Sequence, residues 1–196
     1  MSRYGHATKS SSYHHGDLRR AVLTAALEVI AAEGPGALSL RDLARRAGVS
    51  HAAPAHHFKD RTGLLTAIAA EGYELLADAL AGAADLRERG VRYVRFGVDH
   101  PAHFQVMFHP DLLRGDDAAL LAARARAGAE LQAGIGAVPE RRRGEDARLA
   151  GIAAWSLAHG FATLLLSENL REPVAGRDPE DVFRELAELL FSGSRE

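Results

Sequence analysis

Three histidines, His51, His56 and His57, lie within seven positions of one another in the first third of the chain. An imidazole can donate a hydrogen bond to a phosphate or to the edge of a guanine base. The chemistry open to this group is therefore hydrogen bonding to DNA, provided that one element presents the three rings on its exposed side. The flanking residues show which element that would be.

The residues before the histidines have the pattern of a short helix. Ser39 stands three positions before Asp42, a spacing similar to that of an N-terminal capping box. Apolar residues then recur at the spacing of one buried helical face, namely Leu40, Leu43, Ala44 and Ala47. We therefore predict a helix that begins at Leu40.

A sharp turn and a second helix are predicted after the first. Gly48 stands where the first helix would end, and glycine adopts the left-handed conformation of a helix end without steric cost. Val49 can fill the angle between the two helices, and Ser50 is a good N-cap for the second. The pair would be a helix-turn-helix whose second helix enters a major groove. The alternative is an ordinary helical hairpin inside a core.

The surrounding residues carry a resemblance to a known family. From Ala44 to Asp60 the chain follows the pattern AxxAGVSxxxxxxHFxD, with a long helix before it and a Leu-Leu pair at positions 64 and 65. This arrangement resembles the N-terminal domain of TetR-family transcriptional repressors over roughly residues 14–75. The segment YHHGDLR at 13–19 resembles the start of one subgroup. The resemblance implies a repressor that binds a palindromic operator.

The resemblance also implies which residues contact double-stranded operator DNA. Two features depart from the family pattern: Ala55 replaces a usual tyrosine, and Pro54 removes a donor near the start of the second helix, which would start late or as a 3₁₀ turn. His57 could instead pack against Phe58. By motif position the DNA-binding residues are Ser39, Arg41, Ser50, His51, Ala52, Ala53, Ala55, His56, His57, Lys59 and Arg61, of which Arg41, Lys59 and Arg61 would contact phosphates.

A second resemblance lies near the C-terminus, in the run AAWSLAHGFATLLLS. Trp155 and His159 are four residues apart, hence on one helical face, with Gly160 beside them. These residues resemble the Trp-His-Gly signature of the WHG-type C-terminal domain of TetR-like regulators. The preceding segment YVRFGVDHPAHFQVMF is similar to the central part of that domain.

The same part of the chain contains a candidate effector site. Aromatic and apolar residues with a few polar groups are typical of small-molecule pockets, although such a stripe can also be plain core. We predict that a small apolar or aromatic effector binds there, oriented by His159 and the Trp155 N–H. The predicted ligand-binding residues are Tyr93, Phe96, Phe104, Met107, Phe108, Trp155 and His159.

The last two helices carry more apolar residues than one body is expected to cover. We predict that the surplus forms a homodimer seam, and in the family these two helices pair with their symmetry mates as a four-helix bundle. That arrangement would set the two heads about one DNA turn apart, roughly 34 Å. The predicted interface residues are Leu157, Phe161, Leu164, Leu165, Val182, Phe183, Leu186, Leu189 and Leu190.

The whole chain is predicted to be all-α, with about nine helices and no period-two alternation. Residues 1–13 are predicted to be a disordered arm, 14–60 a three-helix helix-turn-helix domain, and 61–196 a helical bundle for ligand binding and dimerisation. The first helix would run from Asp17 to Gly34, and Asp60 would cap the fourth. The last three helices are predicted at about 117–138, 145–169 and 179–192.

Composition narrows the classes of protein to which the chain can belong. Among its 196 residues there is no cysteine, which excludes disulfides and thiolate metal sites. We find no apolar run close to the roughly 20 residues of a membrane span and no signal peptide, so a cytoplasmic protein without a membrane partner is expected. Residues 1–60 hold eight Lys or Arg and five Asp or Glu, whereas residues 61–196 hold 16 and 21. A basic head on an acidic body fits a DNA-binding domain joined to a regulatory one.

Catalysis and metal binding are disfavoured. There is no GxSxG, GxGxxG or phosphate-binding loop, and no acid stands where it could orient His159 against Ser156, so no enzyme and no cofactor are predicted. Ligand types for zinc occur at Asp99, His100, His103, His109 and Asp111, but the neighbouring prolines disrupt helical pairing, so no metal is predicted. The remaining alternative function is a helical protein-interaction module without operator binding.

Overall fold

The computed structural model describes residues 11–133 and 145–191, which contain nine α-helices and no strand, so the predicted all-α class is confirmed. The helices are α1 (Ser11–Glu33), α2 (Leu40–Arg46), α3 (Ala53–Phe58), α4 (Arg61–Leu80), α5 (Leu86–Asp99), α6 (Pro101–Met107), α7 (Ala118–Ala133), α8 (Glu145–Leu166) and α9 (Pro179–Phe191). The first three helices form a head, and α5 to α9 form a body. The long helix α4 belongs to both.

The head is built on the apolar face of α1. This helix begins at Ser11 rather than at the predicted Asp17, so residues 11–13 of the predicted arm are helical. A single glycine at position 16 costs a helix only about 1 kcal/mol, too little to stop it. Buried side chains from α1, α2 and the end of α3 form the head end of a core that continues into the body, namely Val22, Ala26, Ile30, Leu43, Ala44 and Phe58.

The turn between α2 and α3 follows the predicted chemistry at its first half. The Ser39 hydroxyl accepts from the Asp42 N–H, and α2 begins at Leu40 as expected. Gly48 has φ +65°, and the N–H groups of Gly48 and Val49 bond back to the carbonyls of Arg45 and Ala44. This is the Schellman arrangement in which glycine ends a helix.

The second half of the turn differs from the prediction that Ser50 caps α3. The helix begins at Ala53 with Ala52 as its N-cap, and no side chain caps it. Pro54 is the physical reason, because a proline is tolerated only in the first helical turn. The helix therefore starts late, as the proline suggested, and is only six residues long.

The body packs around α4. The Asp60 carboxylate accepts from the Gly63 N–H at 2.9 Å, which confirms Asp60 as the N-cap of α4. One face of α4 is buried throughout, through Leu64, Leu65, Ile68, Leu76 and Leu80, and packs against α6 and α7. The helices α8 and α9 pack on α5. Because α4 runs from the head to the far end of the body, any shift of its N-terminus moves the head.

Three predictions need correction: where α7 begins, where α8 ends, and the absence of an apolar run long enough to span a membrane. The helix α8 ends at Leu166 rather than Asn169, and α7 starts at Ala118; the predicted residues 134–138 of α7 lie outside the described residues. Contrary to our prediction, the segment Arg148–Leu166 is long and apolar enough to cross a membrane, with a mean hydropathy of 1.6. Only 17% of this segment is buried within the chain. Exposed apolar surface of this extent is typical of sites that bind another protein, a ligand or a membrane.

Candidate nucleic-acid interface and effector site

The outer face of α3 presents the histidines. His51, Ala52, Ala55 and His56 are exposed, as is Ser50 before them. His57 is half-buried, with its ring centroid 5.4 Å from that of His56 and 6.2 Å from that of Phe58. The exposed face therefore offers two imidazoles and two alanine methyl groups to a groove, with His57 at its edge.

Ala53 is withdrawn from the predicted groove-facing set. Only 9% of its surface is exposed, and Pro54 and Phe58 beside it are buried as well. These three residues form the inner face of α3, which packs into the head. Motif position could not reveal this, because the late start of α3 rotates its first residues relative to a helix that begins at Ser50.

The three cations predicted to contact phosphates differ in their surroundings: two are exposed, and one is hydrogen-bonded within the protein. Arg41 and Lys59 are both exposed. Arg61 is half-buried instead, and its guanidinium donates at 2.6 Å to the carbonyl of Pro35 in the α1–α2 connection. This bond ties the α1–α2 connection to the start of α4, and the predicted phosphate contact of Arg61 stays a prediction for its remaining donors.

Two further arginines of α2 are paired internally. Arg45 and Arg46 both bond to the carboxylate of Asp42, at 2.5 and 2.8 Å. These hydrogen bonds, that of Arg45 first, hold the pKa of Asp42 below its ordinary value. The two exposed pairs reduce the positive charge that Arg45 and Arg46 present, whereas Arg41 and Lys59 are exposed, as are Arg19 and Arg20 of α1.

A loop of the body clamps the corner between α3 and α4. Arg114, which follows α6, donates at 2.6 Å to Asp60 through its side chain and at 2.9 Å to the Thr66 hydroxyl through its backbone. Gly63 makes this approach possible: a Cβ there would overlap the carbonyl oxygen of Phe58 and lie 2.7 Å from Nη1 of Arg114. The bond from the Gly63 N–H, then the charge of Arg114, lowers the pKa of Asp60. Sequence analysis missed Arg114, since nothing local in LLRGDD signals a contact 54 residues away.

The space beside this clamp is open. A cleft of about 710 Å³ separates α1 and the α3–α4 corner from α7. Arg19 lies over the Phe58 ring at 5.5 Å on one side, and Arg114 lines the other. The head is joined to the body through α4, through the packing of α1 on α6 and through the Arg114 clamp, and the buried residues of head and body form one continuous core.

Five of the seven predicted effector residues form one aromatic cluster. His159 is at its centre, with ring centroids at 4.5 Å from Phe108, 5.3 Å from Phe104, 5.8 Å from Trp155 and 6.2 Å from Tyr93. His159 and Phe108 are half-buried, and Trp155 is 44% exposed. We call these five residues the His159 cluster. Tyr73 of α4, which was not predicted, extends it through a ring contact with Phe108 at 6.0 Å.

Phe96 and Met107, predicted as lining residues, lie in the core instead. They are 2% and 0% exposed. The Met107 sulfur packs where Gly72 of α4 leaves room, and Phe96 stacks near His100 with ring centroids 5.2 Å apart. On an amphipathic helix, apolar type alone does not separate a pocket residue from a core residue, so the prediction was wrong for these two.

Hydrogen bonds connect three members of the His159 cluster. The Trp155 indole N–H donates to the Tyr93 hydroxyl at 3.4 Å, and that oxygen lies 2.9 Å from Nδ1 of His159. Burial raises the pKa of Tyr93 and lowers that of His159, so both groups are neutral at neutral pH. The Trp155 N–H, predicted to orient the effector, is therefore already used inside the protein.

The predicted dimer residues fall on two different surfaces. Phe161, Val182 and Phe183 are buried within one chain, where the Phe161 and Phe183 rings meet at 5.7 Å and join α8 to α9. They are withdrawn from the predicted seam. Leu164 and Leu189 are exposed, Leu157, Leu165 and Leu186 are half-buried, and the side chain of Leu190 lies outside the described residues. Leu149 and Ile152 of α8, which were not predicted, are exposed by 59% and 49%.

The candidate zinc ligands do not converge. In the described ranges, no three His, Cys, Asp or Glu side chains are placed to share a metal ion. His103 is buried, and burial, followed by the nearby His100, lowers its pKa to about 4.

A helix-turn-helix head with a polar outer face, joined through one long helix to an all-α body, is the architecture of a DNA-binding regulator.

Comparisons with known proteins identify the family. Residues 22–68 match the family model for bacterial regulatory proteins of the tetR family, and residues 86–190 match that for a tetracyclin repressor-like C-terminal domain. The second match alone covers more than half of the chain. The chain belongs to the TetR family of DNA-binding transcription regulators, as its motifs suggested.

Solved structures agree with this assignment. A protein of unknown function from Rhodococcus sp. RHA1 is 31% identical, with a TM-score of 0.71, over 95% of this chain and 100% of that one. The regulator PfmR from Thermus thermophilus is 25% identical, with a TM-score of 0.67, over 89% and 99%. AibR, solved in complex with isovaleryl coenzyme A and operator DNA, shares the fold at 17% identity and a TM-score of 0.66, over 89% and 98%. None of the curated proteins matches significantly.

Proposed function

We propose that the protein is a homodimeric repressor that binds a palindromic operator through α3 and is released by a small, mainly apolar effector bound at the His159 cluster. The exposed polar face of α3 is the observation that carries the proposal. It presents His51, Ser50 and His56 for hydrogen bonds and two alanine methyl groups for thymine contacts, with Arg41 and Lys59 for the phosphates.

A second copy of the chain is the proposed cover for the apolar face of α8. Leu149, Ile152 and Leu164 are exposed along this helix. A Cβ added at Gly160 would meet no neighbouring atom, so a partner helix has room to approach closely there. Leu189 of α9 is 79% exposed, and we propose that it joins the same seam. Full burial of such a side chain contributes about 1.5 to 3 kcal/mol, and these residues, already partly covered within one chain, would each contribute a corresponding fraction of that in a dimer.

The effector is proposed to act through α6 and α4. Phe108 of the His159 cluster directly follows α6, and Arg114 lies six residues further on, bonded to the N-cap of α4. Tyr73 of α4 donates to the Met107 carbonyl at 2.9 Å, which ties α4 to the same segment. An effector that fits the cluster better at one spacing of the heads must shift DNA binding, and a coupling of about 1 to 3 kcal/mol changes affinity roughly 5- to 150-fold.

Support for an effector also comes from the comparison with AibR, which was solved with isovaleryl coenzyme A and operator DNA. The shared fold makes simultaneous sites for a small molecule and for DNA structurally compatible. We propose no catalytic role and place the protein in the cytoplasm, where its operator would be. An interaction module without DNA binding is the outcome that the first experiment below would reveal.

The test of DNA binding is a salt titration with genomic fragments selected by the purified protein. Log affinity should fall steeply as log salt rises, because phosphate contacts release counterions. The double variant Arg41→Ala, Lys59→Ala should bind more weakly and show a slope reduced by about 2 per protomer. The matched control, Arg171→Ala with Arg184→Ala, removes the same charge from the body and should bind as wild type. Equal slopes for all three proteins would show that α3 is not the DNA-binding surface.

The test of effector release uses Trp155→Ala once an inducer has been found by screening for release of the operator. This variant should keep DNA binding and lose the response to the inducer, because it removes one wall of the His159 cluster. A variant that responds at the same inducer concentration as wild type would place the effector elsewhere and return Trp155 to a structural role.

A further inference from the structure

The hydrogen bonds of the His159 cluster have only one consistent direction. An indole N–H is a donor only, so the Tyr93 oxygen must accept from Trp155. The Tyr93 hydroxyl is buried, and a buried hydroxyl that donates to nothing is costly. Among the described residues, Nδ1 of His159 at 2.9 Å is the one acceptor that it reaches. The Tyr93 hydroxyl therefore donates to Nδ1.

This direction fixes the tautomer of His159. A neutral imidazole carries one proton, so an accepting Nδ1 places the proton on Nε2. No described residue accepts a hydrogen bond from that Nε2–H. The ring is only half-buried, with Phe104 stacked on it at 24° and the Phe108 ring edge-on at 69°. The cluster thus holds one oriented, unused donor between two phenyl rings.

The absence of charge on the five side chains of the cluster restricts which ligand groups can accept a hydrogen bond from Nε2–H of His159. None of its five side chains is charged at neutral pH, since burial keeps His159 neutral, and the guanidinium of Arg124 lies outside these five, over the Tyr73 ring at 5.4 Å. An ionised carboxylate that loses its water there would meet no cation within the cluster, which is unfavourable. A neutral carbonyl needs only one good donor. Its apolar remainder can contact the faces of Phe104, Phe108 and Trp155.

We infer that the effector is a neutral, mainly apolar molecule whose carbonyl oxygen accepts a hydrogen bond from Nε2–H of His159. This inference rests on the effector site proposed above. Tyr93 and Trp155 are positioning residues in this account, because they set the tautomer without contacting the carbonyl. The inference replaces the expectation that the Trp155 N–H itself orients the effector.

The tautomer can be measured on the free protein by nitrogen NMR of the histidine rings. His159→Gln assigns the signals of His159 among the ten histidines. We expect a protonated Nε2 and an unprotonated Nδ1 at slightly alkaline pH. In Tyr93→Phe the preference should weaken, because Nδ1 loses its donor while the ring packing is kept. A protonated Nδ1 in the wild-type protein would overturn the inference and leave the proposed effector site standing.

The preference for a carbonyl can be measured with three probes of similar size: 1-phenylpentan-1-one, pentylbenzene and 4-butylbenzoate. Trp155 is the single tryptophan, so its indole N–H gives one assigned NMR signal that reports binding at the cluster. The ketone should bind about 2- to 12-fold more tightly than the hydrocarbon, the range expected for one net hydrogen bond. In His159→Phe, which keeps an aromatic ring, that ratio should fall to about 1 for lack of the donor.

Three results would overturn the inference. Equal affinity of ketone and hydrocarbon for the wild-type protein would show that the donor is not used, although the site would remain. Tighter binding of the benzoate than of the ketone would show a charged effector class. An indole signal unchanged by all three probes would remove both the inference and the placement of the effector at the His159 cluster, whatever the outcome of the DNA-binding test.

Discussion

The helices α3 and α8 both expose part of their surface, but the two surfaces have opposite chemistry. The outer face of α3 and the turn before it present His51, Ala55 and His56, and the inner face of α3 is anchored by Phe58. On α8 the exposed side chains include Leu149, Ile152 and Leu164. A short polar face fits a hydrated polyanion, whereas a long apolar face fits a second protein surface. One chain therefore exposes two surfaces of different chemistry, and these are the surfaces that we propose for DNA and for the second chain.

The largest effect should come from a charge on the apolar face of α8. We expect Ile152→Asp to convert a dimer to a monomer, because each dimer loses the newly buried half of two isoleucines, at about 0.7 to 1.5 kcal/mol each, and gains two unpaired carboxylates. The dimer dissociation constant should rise roughly 100-fold or more. Analytical ultracentrifugation at micromolar concentration measures this change.

The control for this variant is Leu121→Asp on α7, which changes a residue of similar exposure outside the α8 face. It should stay dimeric. If Ile152→Asp stays dimeric too, the two chains meet on another surface, and the apolar face of α8 is not the dimer interface.

The second effect concerns acid stability and separates the body from the head. His103 is buried on α6, next to His100, and its Nε2 has no partner among the described residues. Its pKa is about 4 when folded and 6.5 when exposed, so the unfolded chain binds more protons between these values. The contribution of neutral His103 to stability is therefore fully present above about pH 6.5. The free energy of unfolding falls by up to about 3 kcal/mol as the pH drops towards 4.

Urea denaturation at several pH values measures this loss. His103→Leu should flatten the dependence between pH 4 and 6.5, whereas His109→Leu, at an exposed position, should leave it unchanged. The same pH dependence in His103→Leu as in wild type would assign acid sensitivity to other groups, His159 among them, since burial lowers its pKa as well.

The third effect tests the corner at which the polar interface joins the body. Gly63→Ala should destabilise the protein by about 1 to 3 kcal/mol, because the new Cβ overlaps the Phe58 carbonyl and forces the end of α3 to shift. Gly128→Ala on α7 is the matched control, since a Cβ there meets no neighbouring atom. It should stabilise the helix by about 0.5 to 1 kcal/mol. Thermal melts that move in the same direction for both would refute the close approach at Gly63.

The smallest effect concerns the Arg114 clamp itself. Arg114 and Asp60 are both partly solvated, so their ion pair should contribute about 0.2 to 1 kcal/mol. A double-mutant cycle with Arg114→Ala and Asp60→Asn measures it, because asparagine retains the capping of α4. We expect a coupling in that range in urea denaturation. Zero coupling would mean that the clamp is an incidental surface contact, and that the head and the body are held together by α4 and by the packing of α1 on α6.

The two regions also differ in how far the sequence predicted them. The turn at Gly48, the cap at Ser39 and the cap at Asp60 are local signals, readable within a few residues, and all three are confirmed. The dimer residues are not local. The helix α8 is apolar on nearly every side, so the pattern could not tell Phe161, which packs on α9, from Ile152, which is exposed.

Contacts between distant segments were likewise beyond the sequence. The bond from Arg61 to the Pro35 carbonyl spans 26 residues, and the bond from Arg114 to Asp60 spans 54. Nothing in the residue type predicts either contact, because an arginine in the same place can equally well face a phosphate. The direction of the hydrogen bonds from Trp155 to His159 required the position of the Tyr93 oxygen, which only the fold supplies.

The most direct test of the account is the composition of the complex with DNA. Fragments of the source genome that the protein selects should contain a palindrome whose half-sites lie about one helical turn apart, roughly 34 Å, and each should bind two chains. Sequencing of the selected fragments, with the mass of the complex measured in solution, gives both quantities. One chain on a site without symmetry, or no enrichment of any fragment, would contradict a dimeric repressor that reads DNA through α3.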